Sequence, residues 1–326
     1  MPGSRTTPHP LFTTTVLLAM LWLGIATAGG HPRATEAGFL HVEDDVRLYY
    51  ERYGTETPTL FIPNRLVLVY TFGEALERLN VVTWDPRGRG LSSYPDDPAR
   101  YGIDAEIADA EAIRRHFGAD RITYLGISIW ANVALNYAAR HPDRVESVIA
   151  LGPLPIAQRM MGPGDDPIVH ELESERAELQ AMESDGRAER DPYGHCVVDS
   201  YLSFSGSYAS LDHMAPLVAA NVCQYPNERI VGGPAQRGMF ASLGAWDWTD
   251  LAAGLQANVL LIYGTRENWP IAGVRAYADA LPNVGVAVFE GAGHHVWNER
   301  QVAVTELVET FALGAWPDGV VRSSER

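Results

Sequence analysis

From Phe39 onward the chain alternates apolar and polar positions in two rhythms. FLHVEDDVRLYYERYG (39–54) alternates residue by residue around Glu43-Asp44-Asp45. A period of two on either side of an acidic turn predicts a hairpin of two strands. Six short apolar runs follow, bounded by Gly, Pro, Asp or Asn: TLFIP (59–63), NVVTWD (80–85), ITYLG (122–126), VESVIALG (145–152), NVLLIYG (258–264) and VGVAVFE (284–290). Apolar runs without alternation predict strands buried on both faces, as in a parallel sheet. Between most of them the apolar spacing lengthens to the helical period, over 105–117, 130–140, 272–281 and 302–313. Strand–helix alternation predicts an α/β fold with a parallel sheet.

One interval breaks the rhythm. Between Pro155 and Trp248 no run reads as a strand. Asp165, Asp166, Glu171, Glu173, Glu175, Glu178, Glu183 and Asp185 crowd one part of it, and Tyr193, Tyr201, Phe204, Tyr208, Tyr225 and Trp246 are scattered through it. This composition predicts a helical cap whose aromatics form its own core, a few of them lining an apolar pocket. The acidic cluster reads as a solvated helix surface. The implied organisation is a leader over 1–28, a first part of the core over 36–154, a cap over 155–248, a second part of the core over 249–315, and a polar tail over 316–326. Polar ends of this kind are expected to fray.

The leader has its own signature. Arg5 precedes LFTTTVLLAMLWLGIATA, which ends in the small residues Ala26-Thr27-Ala28-Gly29. A charged start, an apolar stretch and an A-x-A site predict a cleaved signal peptide. The protein is then secreted or periplasmic, without stable membrane insertion after cleavage. An uncleaved anchor is the rival reading, because the run approaches the roughly 18–20 residues that a span needs. A buried N-terminal helix is a third.

Export changes the meaning of the only two cysteines, Cys196 and Cys223. In an oxidising compartment they are candidates for a disulfide closing a loop of about 27 residues; two buried thiols are the alternative. The formal charge of -16 argues against a nucleic-acid partner, since phosphate binding needs clustered positive charge. All 25 basic residues are arginine.

The candidate chemistry lies at strand ends. Gly126-Ile127-Ser128-Ile129-Trp130 follows the run ITYLG and opens a helical pattern. A serine at a sharp strand-to-helix turn projects its hydroxyl above the sheet and leaves the next N–H, that of Ile129, open to an oxyanion. A serine in that place can also be a simple helix cap. Glu267 sits just beyond the run NVLLIYG, and His294 lies in the Gly-rich loop GAGHHVW. The order serine, acid, histidine is one of the known orders of catalytic triads. All three stand at carboxyl ends of strands, where parallel sheets build sites. His295, although adjacent, is given no role.

With these residues in hand, residues 38–315 resemble the α/β-hydrolase fold superfamily, in its esterase-like and proline-iminopeptidase-like branch. Besides the serine turn, DPRGRGLS (85–92) resembles the family's turn after the fourth strand, and NYAARHPDRVESVIALGP its next helix and strand. YGTREN and GAGHHVW resemble its acid and histidine loops. The resemblance implies a mostly parallel eight-stranded sheet flanked by helices, with a helical cap inserted after the sixth strand. It implies Ser128 as nucleophile, His294 as base and Glu267 as orienting acid. The substrate would be a small molecule or short peptide bearing an ester or amide, with no metal and no organic cofactor. In aminopeptidase-like relatives cap carboxylates hold a substrate's free ammonium, which gives the acidic cluster a second reading beside the solvated surface.

The chain departs from the family at two places. Trp130 stands where a small residue is usual, and Gly126 and Gly152 are the positions that can make room for it. After the third strand, Asn64-Arg65-Leu66 replaces the usual His-Gly. Arg65 is the candidate for the second backbone oxyanion donor, its guanidinium adding positive charge nearby. These departures also motivate an alternative, a catalytically weak or inactive hydrolase fold that binds a ligand.

Overall fold

The expected strands form one sheet, and their side chains explain why the runs lack alternation. In the computed structural model, which describes residues 33–57, 59–65, 71–73, 75–214, 223 and 233–323, the sheet has nine strands. They are β1 (Glu36–Glu43), β2 (Val46–Arg52), β3 (Leu60–Pro63), β4 (Val81–Trp84), β5 (Ile122–Ile127), β6 (Val145–Leu151), β7 (Asn258–Arg266), β8 (Val284–Gly293) and β9 (Val321–Arg322), in the order β1-β2-β4-β3-β5-β6-β7-β8-β9. Neighbours from β4 to β8 run parallel. Along β7, Val259, Leu261 and Tyr263 enter one apolar layer, while Leu260 and Ile262 enter the other. Both faces are covered, so both sets of positions are apolar.

The longer helices are α1 (Ile103–His116), α2 (Ile129–Arg140), α3 (Glu173–Ser184), α4 (Pro192–Ser205), α5 (Pro234–Leu243), α6 (Ile271–Ala280) and α7 (Gln301–Ala312). The layer holding Ile107 and Ile113 of α1, Val133 and Tyr137 of α2 and Val274 and Tyr277 of α6 lies on one face of the sheet. Val304, Val308 and Phe311 of α7 cover the other.

The chain leaves the sheet after β6 and returns at β7. Among the described residues of this excursion there is no strand, only one isolated bridge between Ala157 and Asp247. Cys196 on α4 and Cys223 are joined by a disulfide, their Cα atoms 5.7 Å apart. Both are buried with Val197, Tyr208 and Met214 in a small core, with Tyr201 and Phe204 packed against it. Trp246 departs from expectation. It packs on the main core, stacks on Trp248 and donates to the Pro155 carbonyl.

Two other expectations need correction. The sheet has nine strands rather than eight, because Val321 and Arg322 pair antiparallel with Val286 and Gly285. The tail after Gly314 therefore does not fray through Ser323. Trp316 packs on Phe311 and over Gly285, where a Cβ would lie 2.5 Å from the indole, and Val320 is buried. The leader and Tyr225 lie outside the described residues. Among the described residues no helix is long and apolar enough to cross a membrane.

Candidate active site

Ser128 follows β5 and caps α2 with its backbone at φ 51° and ψ -129°. Such a conformation costs a non-glycine residue on the order of 1–3 kcal/mol and persists only where the surroundings enforce it. Here the Ser128 N–H donates to the Leu151 carbonyl at 2.8 Å, and the Ala131 N–H donates to the Ser128 carbonyl at 3.0 Å. The helix then crosses the strand at close range. A Cβ on Gly126 would lie 2.2 Å from the Trp130 carbonyl oxygen, so a side chain there would block the turn. Ile129 is the first helical residue, and an N–H in that position has no intrahelical acceptor.

The indole of Trp130 is accommodated to one side of this crossing. It is buried, with the Arg89 guanidinium carbon 4.8 Å from its ring centroid. Its N–H makes no hydrogen bond of ordinary geometry, yet it helps to favour the charged form of the neighbouring Glu106 carboxyl. Gly126 thus makes room for the backbone of Trp130. Gly152 serves a different place, as follows.

Glu267 and His294 meet at the ends of β7 and β8. Glu267 Oε2 lies 2.6 Å from His294 Nδ1, and both side chains are buried. Arg266, the other conceivable partner of Glu267, pairs instead with Asp166 at 2.7 Å. A Cβ on Gly152 would stand 3.0 Å from His294 Nδ1 and 3.1 Å from Glu267 Oε1. Gly152 has φ +52°, which favours glycine a second time. It directly follows Leu151, the acceptor for Ser128 N–H, so the serine turn and the His–Glu pair adjoin around Leu151-Gly152. An imidazole whose Nδ1 faces a carboxylate keeps Nε2 as its proton acceptor.

Aromatic rings wall the pair. Trp269 stands 4.6 Å from His294 edge-to-face and Trp297 5.7 Å. His295 stacks on Trp297 at 4.8 Å and meets Tyr208 at 4.5 Å. Burial, and next the neighbouring His294, hold His295 well below the usual imidazole range. It serves as part of the aromatic wall.

A strap from the excursion ties the acid and histidine loops together. Ser207 accepts the His295 N–H at its carbonyl (3.1 Å) and the Asn268 amide at its hydroxyl (2.8 Å). Glu299 accepts the Gly293 N–H (2.5 Å) with one oxygen and the Ser210 N–H (3.0 Å) with the other. These residues escaped sequence reading. Asn268, next to Glu267, and Glu299, five positions after His294, at least lie in the candidate loops. Ser207 gave no signal, since its partners lie far along the chain.

The Asn64-Arg65 turn follows β3. Asn64 is buried with φ 69°. The Arg65 guanidinium is not a spare positive charge. Its Nε and Nη2 donate to Asp85 at 3.0 and 2.9 Å, and Nη1 reaches Glu51 at 3.4 Å. Among the described residues no group of three or more His, Cys, Asp or Glu side chains is arranged to hold a metal ion.

The fold has counterparts among known proteins. A family model for the alpha/beta hydrolase fold matches residues 62–299. A proline iminopeptidase of Lactobacillus delbrueckii subsp. lactis is 23% identical over 236 residues, 72% of this chain and 80% of that protein. The enol-lactonase of Burkholderia xenovorans LB400 superposes with a TM-score of 0.61 at 19% identity, over 85% of this chain and 100% of that one. A membrane phospholipase A, described as a bacterial virulence factor, superposes with a TM-score of 0.62 at 19% identity, covering 92% of each chain.

Proposed function

The chain belongs to the α/β-hydrolase fold family, and from that premise we propose a serine hydrolase that cleaves a carboxylic ester or amide through an acyl-enzyme. The observation that carries the reading is the buried pair of Glu267 and His294 at 2.6 Å, set beside the strained turn of Ser128. In the proposed cycle Ser128 Oγ attacks the substrate carbonyl while His294 Nε2 takes its proton. Glu267 holds the tautomer and stabilises the imidazolium. The N–H groups of Ile129 and Arg65 would receive the negative charge that develops on the carbonyl oxygen. His294 then returns the proton to the departing alcohol or amine. Water repeats the sequence on the acyl-enzyme, releasing the acid and freeing Ser128.

The helical excursion would act as a cap over this site and set the substrate, a small molecule or short peptide. Its acidic residues support a solvated face rather than an ammonium site. Glu171, Glu173 and Glu183 are exposed, Asp166 pairs with Arg266, and Glu178 and Asp185 pair with Arg187. Export through a cleaved leader over 1–28 is part of the same proposal. The disulfide supports it, since such bonds persist in oxidising compartments. An N-terminus still at Met1 in protein recovered from the native cell would reject it.

A fluorophosphonate probe tests the chemistry. Wild type should take the label, and Ser128→Ala should not. A folded wild type that stays unlabelled would instead favour the inactive ligand-binding reading. p-Nitrophenyl esters compared with aminoacyl anilides then separate esterase from aminopeptidase activity.

A further inference from the structure

The turn that must supply the second oxyanion donor is built from an unfavourable backbone and one long side chain. Asn64 sits in the left-handed region without solvent to relieve it. Asparagine tolerates this conformation better than most residues, but a strained turn persists only where its surroundings over-determine it. The neighbouring residue supplies that determination.

Strand register brings the partners together. β3 and β4 are parallel, with Pro63 opposite Trp84. The residues that follow them, Asn64-Arg65 and Asp85, therefore leave the sheet side by side. β2 flanks β4 on the other side, with Glu51 opposite Thr83. Arg65 spans this edge. Its planar fork takes both oxygens of Asp85, and its third nitrogen reaches Glu51. The guanidinium carbon stands 4.9 Å from the ring centroid of Tyr49.

Each acceptor is itself fixed. Glu51 accepts from the Tyr49 hydroxyl at 3.0 Å and the Tyr53 hydroxyl at 2.7 Å. Tyr49 and Glu51 on β2 and Tyr53 just past its end alternate along one face, so one segment supplies a carboxylate and two phenols to the same spot. Asp85 is buried and also accepts the Leu91 N–H at 2.9 Å. A Cβ on Gly90 would lie 2.2 Å from Asp85 Oδ2. That close approach explains the second glycine of DPRGRG.

We propose that the Arg65 side chain is the positioning residue of the oxyanion turn, its fork on Asp85 and reach to Glu51 holding the Asn64-Arg65 backbone in register with Ser128. The inference rests on the serine hydrolase reading above. It assigns to the side chain a role separate from that of its own N–H. The turn that usually carries His-Gly is here stiffened from the side by a half-buried, bidentate arginine. Lysine offers a point charge without the fork and cannot reproduce the geometry.

The test uses the full chain with Arg65→Lys, Arg65→Gln and the milder Glu51→Gln. The readouts are steady-state kinetics on a p-nitrophenyl ester, the rate of fluorophosphonate labelling, and the thermal midpoint. A displacement of about 1 Å costs on the order of 10²-fold in rate. Both Arg65 variants should therefore lose roughly that much in kcat and in labelling rate. KM should stay within about twofold, the signature of an interaction made only in the transition state. Glu51→Gln should lose less and keep its thermal midpoint. It keeps the inference testable should the Arg65 variants fail to fold, since an unchanged labelling rate in that variant would then overturn it. Arg65→Lys retaining wild-type kcat, or a change confined to KM, would overturn the tether and leave the hydrolase intact. A wild type that takes no label would remove the hydrolase reading, and the tether with it.

Discussion

At the scale of single residues, the tryptophan that stands where a small residue is usual is supported by its neighbours. Trp130 lies against Arg89 and beside Glu106, in a buried cluster that includes Arg87 paired to Asp109 at 2.7 and 2.8 Å. Burial, and then the charge of Asp109, push Glu106 up to about 8, against the pull of Arg87, Arg89 and the Trp130 indole. Because the carboxyl holds its proton more tightly in the folded state, its contribution is fully present below the unfolded value of 4.5 and is lost as pH rises through about 8. Glu106→Gln should remove that pH dependence and stabilise the protein at pH 8 by on the order of a few kcal/mol. Urea unfolding at pH 5 and pH 8 reads the difference, and an unchanged slope with pH would reject it. The presence of an acid at 106 was plain in the sequence. Its burial beside a tryptophan 24 positions away was not, because nothing local to α1 specifies what α2 brings against it.

At the scale of elements, the strands and helices of the sheet were legible nearly to the residue. Their signals, short and mostly apolar runs and helical spacing, are local, and both faces of the sheet demand them. The serine, acid and histidine loops were legible for the same reason, since each follows such a run. What escaped was structure made by pairing between distant segments. The Ser207–Ser210 strap, the Arg65 fork and the two residues of β9 all depend on partners far along the chain. The excursion between β6 and β7 shows the other consequence of weak local signals. Among the described residues, its core of Cys196, Val197, Tyr208, Met214 and Cys223 is far smaller than the layers on the sheet. The disulfide closes a loop of 27 residues, worth about 3.5 kcal/mol by chain entropy. Reductant should therefore loosen this excursion before the sheet, as an early partial transition in thermal unfolding followed by hydrogen exchange. A Cys196→Ser/Cys223→Ser variant should show that transition with or without reductant. Identical exchange in reduced and oxidised wild type would refute the idea. Since the excursion also supplies Ser207 and Ser210, loosening it should reach the histidine loop.

At the scale of the whole molecule, the sheet is finished at one margin by very little. β9 contributes only two residues, anchored by Trp316 and Val320 over Gly285. Between these anchors Asp318 and Gly319 form an exposed turn. Removing residues 316–326 should bare the outer backbone of β8, whose Val288 already faces solvent. Unpaired strand edges recruit other strands. The shortened chain should elute as larger species on size exclusion, and more so at high salt, where the repulsion of a molecule carrying -16 is screened. A monodisperse, full-midpoint truncation would show that β9 is dispensable. A terminal segment worth few hydrogen bonds thus acts as a selvedge. A single proteolytic nick near Gly319 would leave the fold and the serine turn in place, yet change the number of copies in which they travel.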